Sequence, residues 1–440
     1  MMENKKVVIL SIDFGNDYSG YSYAFITGRG DNVDIYTHDT WSGPCHPNLS
    51  STLLTTAVTN TVSLDKNGRL VKFGYDARED HDNAIFSKYK MVLFNTESRE
   101  KTMVQADNCD QTASVETLFT ETLKFFKQSS LESLDLEYKS NYSCNRVKIE
   151  RADQVIWVIT VPDTSDDDVS IVRAIHQIAI NAGLCTIDTI KESLFITTAS
   201  KAGSLECIFE KTYAYQLAPD QSFLVFNIGV DTADFTAYRQ LEDERMEPII
   251  SRFGGTFGSN NCNQYFKRFM LDLLGGDEMT QEIIDGTDFI TLLETFDNII
   301  KKSMSDVNAK SRNIPFNPKV FDKNIDWILQ RIKQYNSRTG SKIQYKRTGH
   351  LSIPLDTILS FFQPIFQTIV NTVKEHMEKY EAIKNPTYIF MIGSFCENHL
   401  LQEFVRKEFA STGATIAIPY RPLMCASMGA CRLAITKNNH

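Results

Sequence analysis

Short, nearly continuous apolar runs alternate along the chain with longer stretches in which apolar residues recur at helical spacing. The runs lie at residues 7–12, 155–161, 223–226 and 388–392. Runs of this kind are typical of strands covered on both faces of a sheet, and the periodic stretches are typical of amphipathic helices. Their alternation predicts an α/β fold.

Two of the apolar runs continue into hairpins. The first passes through a turn at residues 13–20 into a second strand at 21–25, and the other passes through residues 229–232 into an alternating strand at 233–238. A tight turn between antiparallel strands can direct several backbone N–H groups at one point, which is one way in which proteins hold phosphate. Taken alone, however, an Asp-x-Gly turn such as the first is more often a plain hairpin.

Residues 154–184 contain the clearest local pattern. A fully apolar strand ends at Pro162, and the following residues predict a helix capped by Thr164 or Ser165 and ended by Gly183. Three aspartates at 166–168 fall in the first turn, where the helix dipole favours negative charge. A metal site is the alternative, but consecutive helical residues point to different sides, so we interpret the aspartates as complementing the dipole.

Composition limits the classes of partner. The 440 residues are 42% hydrophobic and 23% charged, with a net charge of −9, so the chain is long enough for two lobes and too acidic to favour nucleic acid or an anionic membrane. We recognise neither a membrane-spanning run nor a signal peptide. The nine cysteines lack metal-site spacing, which favours reduced thiols and a cytoplasmic location.

Several segments, taken in order, resemble the 70-kDa heat-shock protein family of the actin-like ATPase superfamily. They are the two hairpins, a Gly-Tyr-x-Ala-Arg segment at 74–78 with Lys-x-Lys-Met at 88–91, Trp-Val-Ile-Thr-Val-Pro at 157–162, a Gly-Gly turn at 254–255, and a strand–Gly–helix segment at 388–409. The segments at 74–78 and 88–91 are similar to the divergent heat shock 70 kDa protein 12 branch rather than to the main chaperones.

The resemblance implies a two-lobed actin-like ATPase fold, built from duplicated ribonuclease H-like βαβ subdomains with a nucleotide cleft between the lobes. We expect lobe I at residues 1–205, with an inserted subdomain at about 40–150. Lobe II is expected at 206–440, with a smaller, helix-rich insertion at about 270–345. No peptide-binding domain is expected to follow, so direct clamping of peptides is not expected either.

The resemblance also implies site residues for ATP or ADP with Mg²⁺. The nucleotide-binding candidates are Asp13, Gly15, Asn16, Asp17, Tyr18, Gly229, Asp231, Thr232, Gly254, Gly255, Asp297, Lys301, Gly393 and Ser394. The catalytic candidates are Arg78, Glu192, Asn227 and Asp234, with Arg78 at the place of the lysine that contacts the γ-phosphate. Asp13 and Asp234 are the candidates for water-mediated contact with Mg²⁺.

Two of these assignments have plain alternatives. Without the family context, Arg78 would be interpreted as a solvated or locally paired arginine. Asp297 and Lys301 are spaced four residues apart on a predicted helix, so a surface ion pair explains them as well as contact with adenine does.

The chain departs from the family pattern where phosphate should bind. By family position, Asn227 replaces an aspartate, Asp17 replaces a threonine, and Asp231 replaces a glycine. The chain also differs from the family pattern at Val230, Asn16 and Ser394. An amide cannot act as an anionic ligand or accept a proton as a carboxylate does. A carboxylate about 5 Å from a phosphate charge costs about 3 kcal/mol at an effective dielectric constant near 20. A bridging Mg²⁺ would reverse the sign of that effect.

Three functions stay open on the sequence. The first is a nucleotide-binding switch with slow or absent hydrolysis, and the second is a pseudo-ATPase that serves as an interaction scaffold for an unknown protein partner. The third is a sugar kinase on the same fold. That function needs a catalytic carboxylate on the substrate side of the cleft, which we do not recognise in the sequence.

Overall fold

The computed structural model describes residues 6–26, 33–42, 54–94, 102–140, 149, 154–162, 168–209, 217–242, 246–276, 283–284, 287–296 and 310–438. Its strands are β1 (Val8–Phe14), β2 (Tyr18–Phe25), β3 (Tyr36–Thr37), β4 (Trp41–Ser42), β5 (Leu54–Thr55), β6 (Val58–Thr59), β7 (Val62–Leu64), β8 (Leu70–Phe73), β9 (Ala84–Phe86), β10 (Met103–Gln105), β11 (Thr112–Ser114), β12 (Val155–Val161), β13 (Leu194–Thr198), β14 (Ser222–Ile228), β15 (Ala233–Gln240), β16 (Met246–Gly255), β17 (Ser311–Pro315), β18 (Gln344–Lys346), β19 (His350–Pro354), β20 (Tyr388–Ile392) and β21 (Thr415–Ala417). Its α-helices are α1 (Tyr75–Arg78), α2 (Lys90–Phe94), α3 (Val115–Ser140), α4 (Val169–Asn181), α5 (Ile190–Ser193), α6 (Ala199–Phe209), α7 (Ser259–Leu274), α8 (Thr287–Thr295), α9 (Ile325–Thr339), α10 (Leu355–Lys379), α11 (His399–Glu408) and α12 (Cys425–Asn438).

The two halves of the chain build sheets with the same strand order. The first is β13-β12-β1-β2-β3, with β6 also paired to β2, and the second is β21-β20-β14-β15-β16. In each sheet the first three strands are parallel, and the last three form an antiparallel meander. One topology used twice in succession is a duplication. It confirms the two-lobed actin-like α/β fold and both predicted hairpins.

The apolar runs become strands because both faces of each sheet are covered. All seven residues of β12 are buried, and Trp157 packs into the core on one side of the first sheet. On the other side, Ile156 and Val158 pack against Ala430 and Ala434 of α12. Such burial on both faces explains why these strands are apolar throughout rather than alternating.

Two helices cross between the halves. Helix α6 follows β13 of the first sheet but packs on Phe223 and Val225 of the second, whereas α12 comes from the second half and packs on the first. The helices pass so closely that a Cβ on Gly429 would lie 1.7 Å from the carbonyl oxygen of Ala202. The expected lobe boundary at 205/206 therefore falls inside α6.

Two local expectations differ from the structure. Asp168 itself caps α4, its side chain accepting hydrogen bonds from the backbone N–H groups of Ser170 and Ile171; the predicted caps Thr164 and Ser165, and Asp166 and Asp167, lie outside the described residues. Gly183 ends the helix as predicted, with φ +72°. In and just after the region expected to form the smaller, helix-rich insertion, β17, β19 and β18 form an antiparallel sheet that the sequence analysis did not predict.

The described part of the chain bears on two further expectations. Within it, no helix is both long and apolar enough to cross a membrane. Its cysteines are free thiols, and all except Cys109 are buried.

Candidate functional site

A cleft lies at the carboxyl ends of the parallel strands of both sheets. The turns after β1 and β14 line it, together with Pro162 after β12, Ala199 after β13 and Gly393 after β20. Its cavity volume is about 130 Å³. In open α/β sheets this end of the strands is where ligands bind, because the loops that follow the strands converge there.

Most of the predicted site residues meet in this cleft. Those that line it are Asp13, Gly15, Asn16, Asp17, Tyr18, Asn227, Gly229, Asp231, Thr232, Asp234, Gly393 and Ser394. They come from both halves of the chain, as the duplicated fold requires.

Other predicted site residues do not line the cleft. Glu192 is exposed on α5, directly before β13, and therefore lies at the amino end of that strand, opposite the end that reaches the cleft. Arg78 is exposed on α1, with its guanidinium 5.4 Å from the centre of the Tyr75 ring. Asp297 and Lys301 lie outside the described residues.

Gly254 and Gly255 lie on β16 beside the cleft rather than in a turn. Gly254 is opposite Asp234, with φ +140°, and a Cβ there would lie 2.1 Å from the carbonyl oxygen of Ala233. These glycines therefore allow β16 to approach β15 closely.

Two cations that the sequence analysis did not single out line the cleft. Lys90 begins α2 and is only 9% exposed, and Arg252 lies on β16. The turn before α2 is unusual, because Lys88 adopts φ 54°, a region that side chains other than glycine rarely occupy. The Lys-x-Lys-Met segment was a sequence signal for Lys90. For Arg252 the sequence signal was its position, two residues before the Gly-Gly pair at 254–255.

Side chains from both halves connect the two turns across the cleft. The amide of Asn16 donates to Asp231 Oδ2 at 2.7 Å, and the amide of Asn260 donates to Asp231 Oδ1 at 2.9 Å. Lys88 Nζ lies 4.0 Å from Asp231 Oδ2. The Asp231 carboxylate therefore occupies the space between the turns as an internal anion held by N–H donors.

The backbone of each turn is held by the structure behind it. The N–H groups of Ser259 and Asn260, at the start of α7, donate to the carbonyls of Gly229 and Val230 at 3.2 and 2.8 Å. In the first turn, a Cβ on Gly15 would lie 1.8 Å from the carbonyl oxygen of Tyr18. Glycine is required there because the chain folds back on itself.

Asp17 lies next to Asp231 at the mouth of the cleft. Burial, and secondly the neighbouring Asp231 charge, raise the pKa of Asp17 to about 7, while Lys88 and Arg78 lower it to a smaller extent. Two carboxyl groups close together favour one shared proton, because a second negative charge in a partly buried site is costly.

The floor of the cleft holds two further carboxyl groups. Thr160 donates a hydrogen bond to Asp13, and burial raises the pKa of Asp13 despite that bond and the nearby Lys90 ammonium. Asp234 is 8% exposed and accepts from Arg252 Nε at 2.6 Å and from Nη2 on the same carboxylate oxygen. Burial raises the pKa of Asp234, and Arg252 and Lys90 oppose that rise.

These contacts do not fit a magnesium ion bound directly by Asp13 and Asp234. Magnesium requires octahedral oxygen ligands and is held by carboxylates whose charge is available to it. Here Asp234 already binds the Arg252 guanidinium, and Lys90 interacts with both carboxyl groups. Among the described residues no cluster of three or more acidic, histidine or cysteine side chains suited to a metal was found.

The duplicated sheets and the cleft between them define the class: a two-lobed protein with the actin-like ATPase fold.

Comparison with known proteins indicates which members of this class the chain resembles. No protein-family model matches the chain. The chain is 22% identical over 470 residues to heat shock 70 kDa protein 12A of Homo sapiens and of Mus musculus, which covers 92% of this chain and 66% of each relative.

A further relative is heat shock 70 kDa protein 12B of Homo sapiens, 22% identical over 488 residues, which covers 94% of this chain and 66% of the relative. The chain thus spans slightly less than two thirds of the length of the curated relatives it matches. It is a divergent relative of the heat shock 70 kDa protein 12 branch, which confirms the resemblance drawn from the motifs.

Proposed function

We propose that the cleft binds ATP or ADP and that the chain acts as a nucleotide-dependent conformational switch with slow or absent hydrolysis. The observation that carries this proposal is the meeting of two glycine-containing turns, one from each half, in a cleft that the buried residue Lys90 also lines. Backbone N–H groups of such turns and a lysine ammonium are groups that bind phosphate.

The size of the cleft supports the switch. Its volume of about 130 Å³ is below the roughly 300–1,000 Å³ usual for ligand pockets. The hydrogen bond from Asn16 to Asp231 closes it across the two halves. Entry of a nucleotide therefore requires the turns to separate, and a ligand that binds only the separated form shifts the equilibrium towards it.

The residues around the cleft support slow or absent hydrolysis. Asn227 lines the cleft with an amide where the resemblance implies a carboxylate. Strand β13 reaches the cleft at Ala199, and the candidate Glu192 is at its other end. General-base assistance typically contributes about 10²–10⁴ to a rate, so its loss leaves binding intact while slowing chemistry.

Thermal denaturation and calorimetric titration with ATP, ADP and AMP test the proposal. A nucleotide at about 100 times its dissociation constant stabilises the protein by roughly 2.7 kcal/mol. We expect Lys90→Met to lose most of that stabilisation. Lys124→Met is the control, since Lys124 pairs with Glu121 on the surface of α3. Equal binding by both variants would exclude Lys90 as a phosphate contact.

An interaction scaffold that binds no nucleotide is the second candidate. The same Asn16–Asp231 contact favours it, because an internal anion already occupies the space between the turns. Under this function no nucleotide shifts the melting temperature of the wild type, or of Asn16→Ala, in which the contact is removed. Phosphate release that depends on a sugar would instead favour the kinase.

We infer a cytoplasmic location and an unidentified protein partner, with neither nucleic acid nor membrane as a ligand. The net charge of −9 supports the exclusion of both anionic ligands. Magnesium is not part of this proposal, because its candidate contacts Asp13 and Asp234 already have partners within the protein.

A further inference from the structure

We propose that nucleotide binding in this cleft does not require a divalent metal, because Lys90 and Arg252 supply the positive charge that a metal would supply. The ligand class is a metal-free nucleoside di- or triphosphate. The inference rests on the proposed function, since it concerns how the same cleft balances phosphate charge.

The strand geometry explains why Arg252 reaches Asp234. Gly254 is the register partner of Asp234 on β15, and Arg252 lies in the irregular part of the pairing that precedes Phe253. Because Gly254 has no side chain, the arginine can lie across its position. Both Arg252 Nε, at 2.6 Å, and Nη2 then donate to Asp234 Oδ1.

This pairing leaves Asp234 poorly suited to hold a metal. An approaching divalent ion would have to displace a guanidinium that already donates two hydrogen bonds to the same oxygen, or accept its repulsion. A planar arginine that donates in parallel is also the side chain best suited to phosphate oxygens. Arg252 and its partner Asp234 both line the cleft, so their ion pair lies beside the space for the ligand.

Lys90 is the second cation beside the floor carboxylates. It is buried, lines the cleft and interacts electrostatically with both Asp13 and Asp234. The Asp13 carboxylate is further held by the Thr160 hydroxyl. Both cations at the floor thus belong to the chain, and a phosphate that enters beside them would share their charge with Asp13 and Asp234.

The carboxylates at the mouth of the cleft offer the competing possibility. Asp231 accepts amide hydrogen bonds from Asn16 and Asn260, and Asp17 lies beside it. If phosphate binding recruited a metal to these two groups, affinity would depend on that metal. The same titration therefore decides between internal cations and a metal at the mouth.

The experiment is calorimetric titration of the full chain with ATP and ADP, in millimolar MgCl₂ and separately in EDTA. We expect dissociation constants that agree within about threefold, whereas a loss of tenfold or more in EDTA overturns the inference, since tenfold corresponds to about 1.4 kcal/mol of binding free energy. Absence of binding in both buffers refutes the proposed function itself, and the inference with it.

Variants of Arg252 test whether this residue supplies the charge for metal-free binding. Arg252→Met should lose at least about tenfold in affinity in EDTA and regain part of it in MgCl₂, while Arg252→Lys should keep metal-free binding because it keeps the charge. Arg406→Met is the control, since Arg406 pairs with Glu403 on the surface of α11. Wild-type affinity of Arg252→Met in EDTA would overturn the role of Arg252.

Asp234→Asn provides a test that does not depend on removing the arginine. If Arg252 and Lys90 are the phosphate cations, the variant binds ATP in EDTA at least as tightly as the wild type, because Arg252 is released from its internal partner. If Asp234 is a metal ligand, the variant instead weakens binding only when Mg²⁺ is present, which would contradict the inference. In a separate titration without nucleotide, Mn²⁺ should not bind to the wild-type protein.

Discussion

The amide nitrogen of Asn16 lies 2.7 Å from the Asp231 carboxylate, and this hydrogen bond joins residues 215 positions apart in the chain. Asn16 belongs to the turn of the first sheet, and Asp231 to the equivalent turn of the second. At both positions this chain departs from the residue that the family pattern has. The substitutions therefore act as a pair, because one supplies the donor and the other the acceptor of a contact that closes the cleft.

Removing the charge of Asp231 should strengthen nucleotide binding. A carboxylate about 5 Å from a phosphate charge costs about 3 kcal/mol at a dielectric constant near 20. We expect Asp231→Asn to lower the dissociation constant for ATP by about ten- to a hundredfold, measured by calorimetry. Asp272→Asn is the control, since Asp272 pairs with Arg338 away from the cleft. Weaker binding by Asp231→Asn would mean that Asp231 assists binding.

Asp17 should make stability depend on pH. Its pKa rises from the ordinary value of 3.8 to about 7 in the folded protein, so between these values the native state holds a proton that the unfolded chain has released. Stability from this group is therefore present at low pH and falls as the pH rises towards 7. Asp17→Asn removes the effect, so its stability relative to wild type should increase with pH.

Urea denaturation at about pH 5 and about pH 8 measures this trend. We expect the free energy of unfolding of Asp17→Asn, relative to that of the wild type, to rise by at least about 1 kcal/mol from the lower to the higher pH. Asp65→Asn is the control. Hydrogen bonds from the backbone N–H groups of Arg69 and Asn67 lower the pKa of Asp65, so its contribution is lost only in acid, as the pH falls through the folded-state pKa. If the stability of Asp17→Asn relative to the wild type is the same at both pH values, Asp17 is already ionised in the folded protein at the lower pH.

Restoring the family residues should increase hydrolysis. We expect Asn227→Asp combined with Val230→Gly and Asp231→Gly to raise phosphate release from ATP by at least about tenfold, within the range that a restored base supplies. Asn227 is the register partner of Asp234, so the new carboxylate lies next to an existing one. This variant, unlike the wild type, should require Mg²⁺.

The control for restoration is Asp17→Thr, which changes the other turn. A gain with Asp17→Thr and none with the triple variant would place the cause of slow hydrolysis in the first turn. Phosphate release is followed with a coupled assay under single-turnover conditions, so that slow product release does not hide the chemical step.

The crossing of α6 and α12 should be intolerant of side chains. A Cβ on Gly429 would meet the carbonyl oxygen of Ala202 at 1.7 Å, and backbone cannot move aside locally. We expect Gly429→Ala to destabilise the fold by roughly 1–3 kcal/mol, as overpacking usually does. Gly276→Ala is the control, because the nearest atom to its Cβ would lie 3.8 Å away. Chemical denaturation compares the two, and equal stability would contradict the close crossing.

Local sequence signals found the turns and missed the cations. Asp13 and Asp231 could be placed because Asp13 directly follows an apolar run and Asp231 lies in the turn after another, and such runs are typical of buried strands. The Lys-x-Lys-Met segment was a signal for Lys90, but neither Lys90 nor Arg252 could be placed in the cleft, since a lysine at the start of a short helix and an arginine within a strand are also typical of surface residues. Arg78 and Glu192 are not among the residues that line the cleft, although Arg78 lies near enough to Asp17 to lower its pKa.

The sequence by itself determined the apolar strands and the two turns, because hydrophobic periodicity and glycine position act within a few residues. The duplicated fold was implied only by the family resemblance, and the order of the strands came from the structure. Only the tertiary structure decided which charges neutralise one another. The pairing of Asp234 with Arg252 depends on strand register, and that of Asn16 with Asp231 depends on how closely the two sheets approach each other. Such contacts depend on distances across the fold, to which the local pattern of the chain contributes no signal.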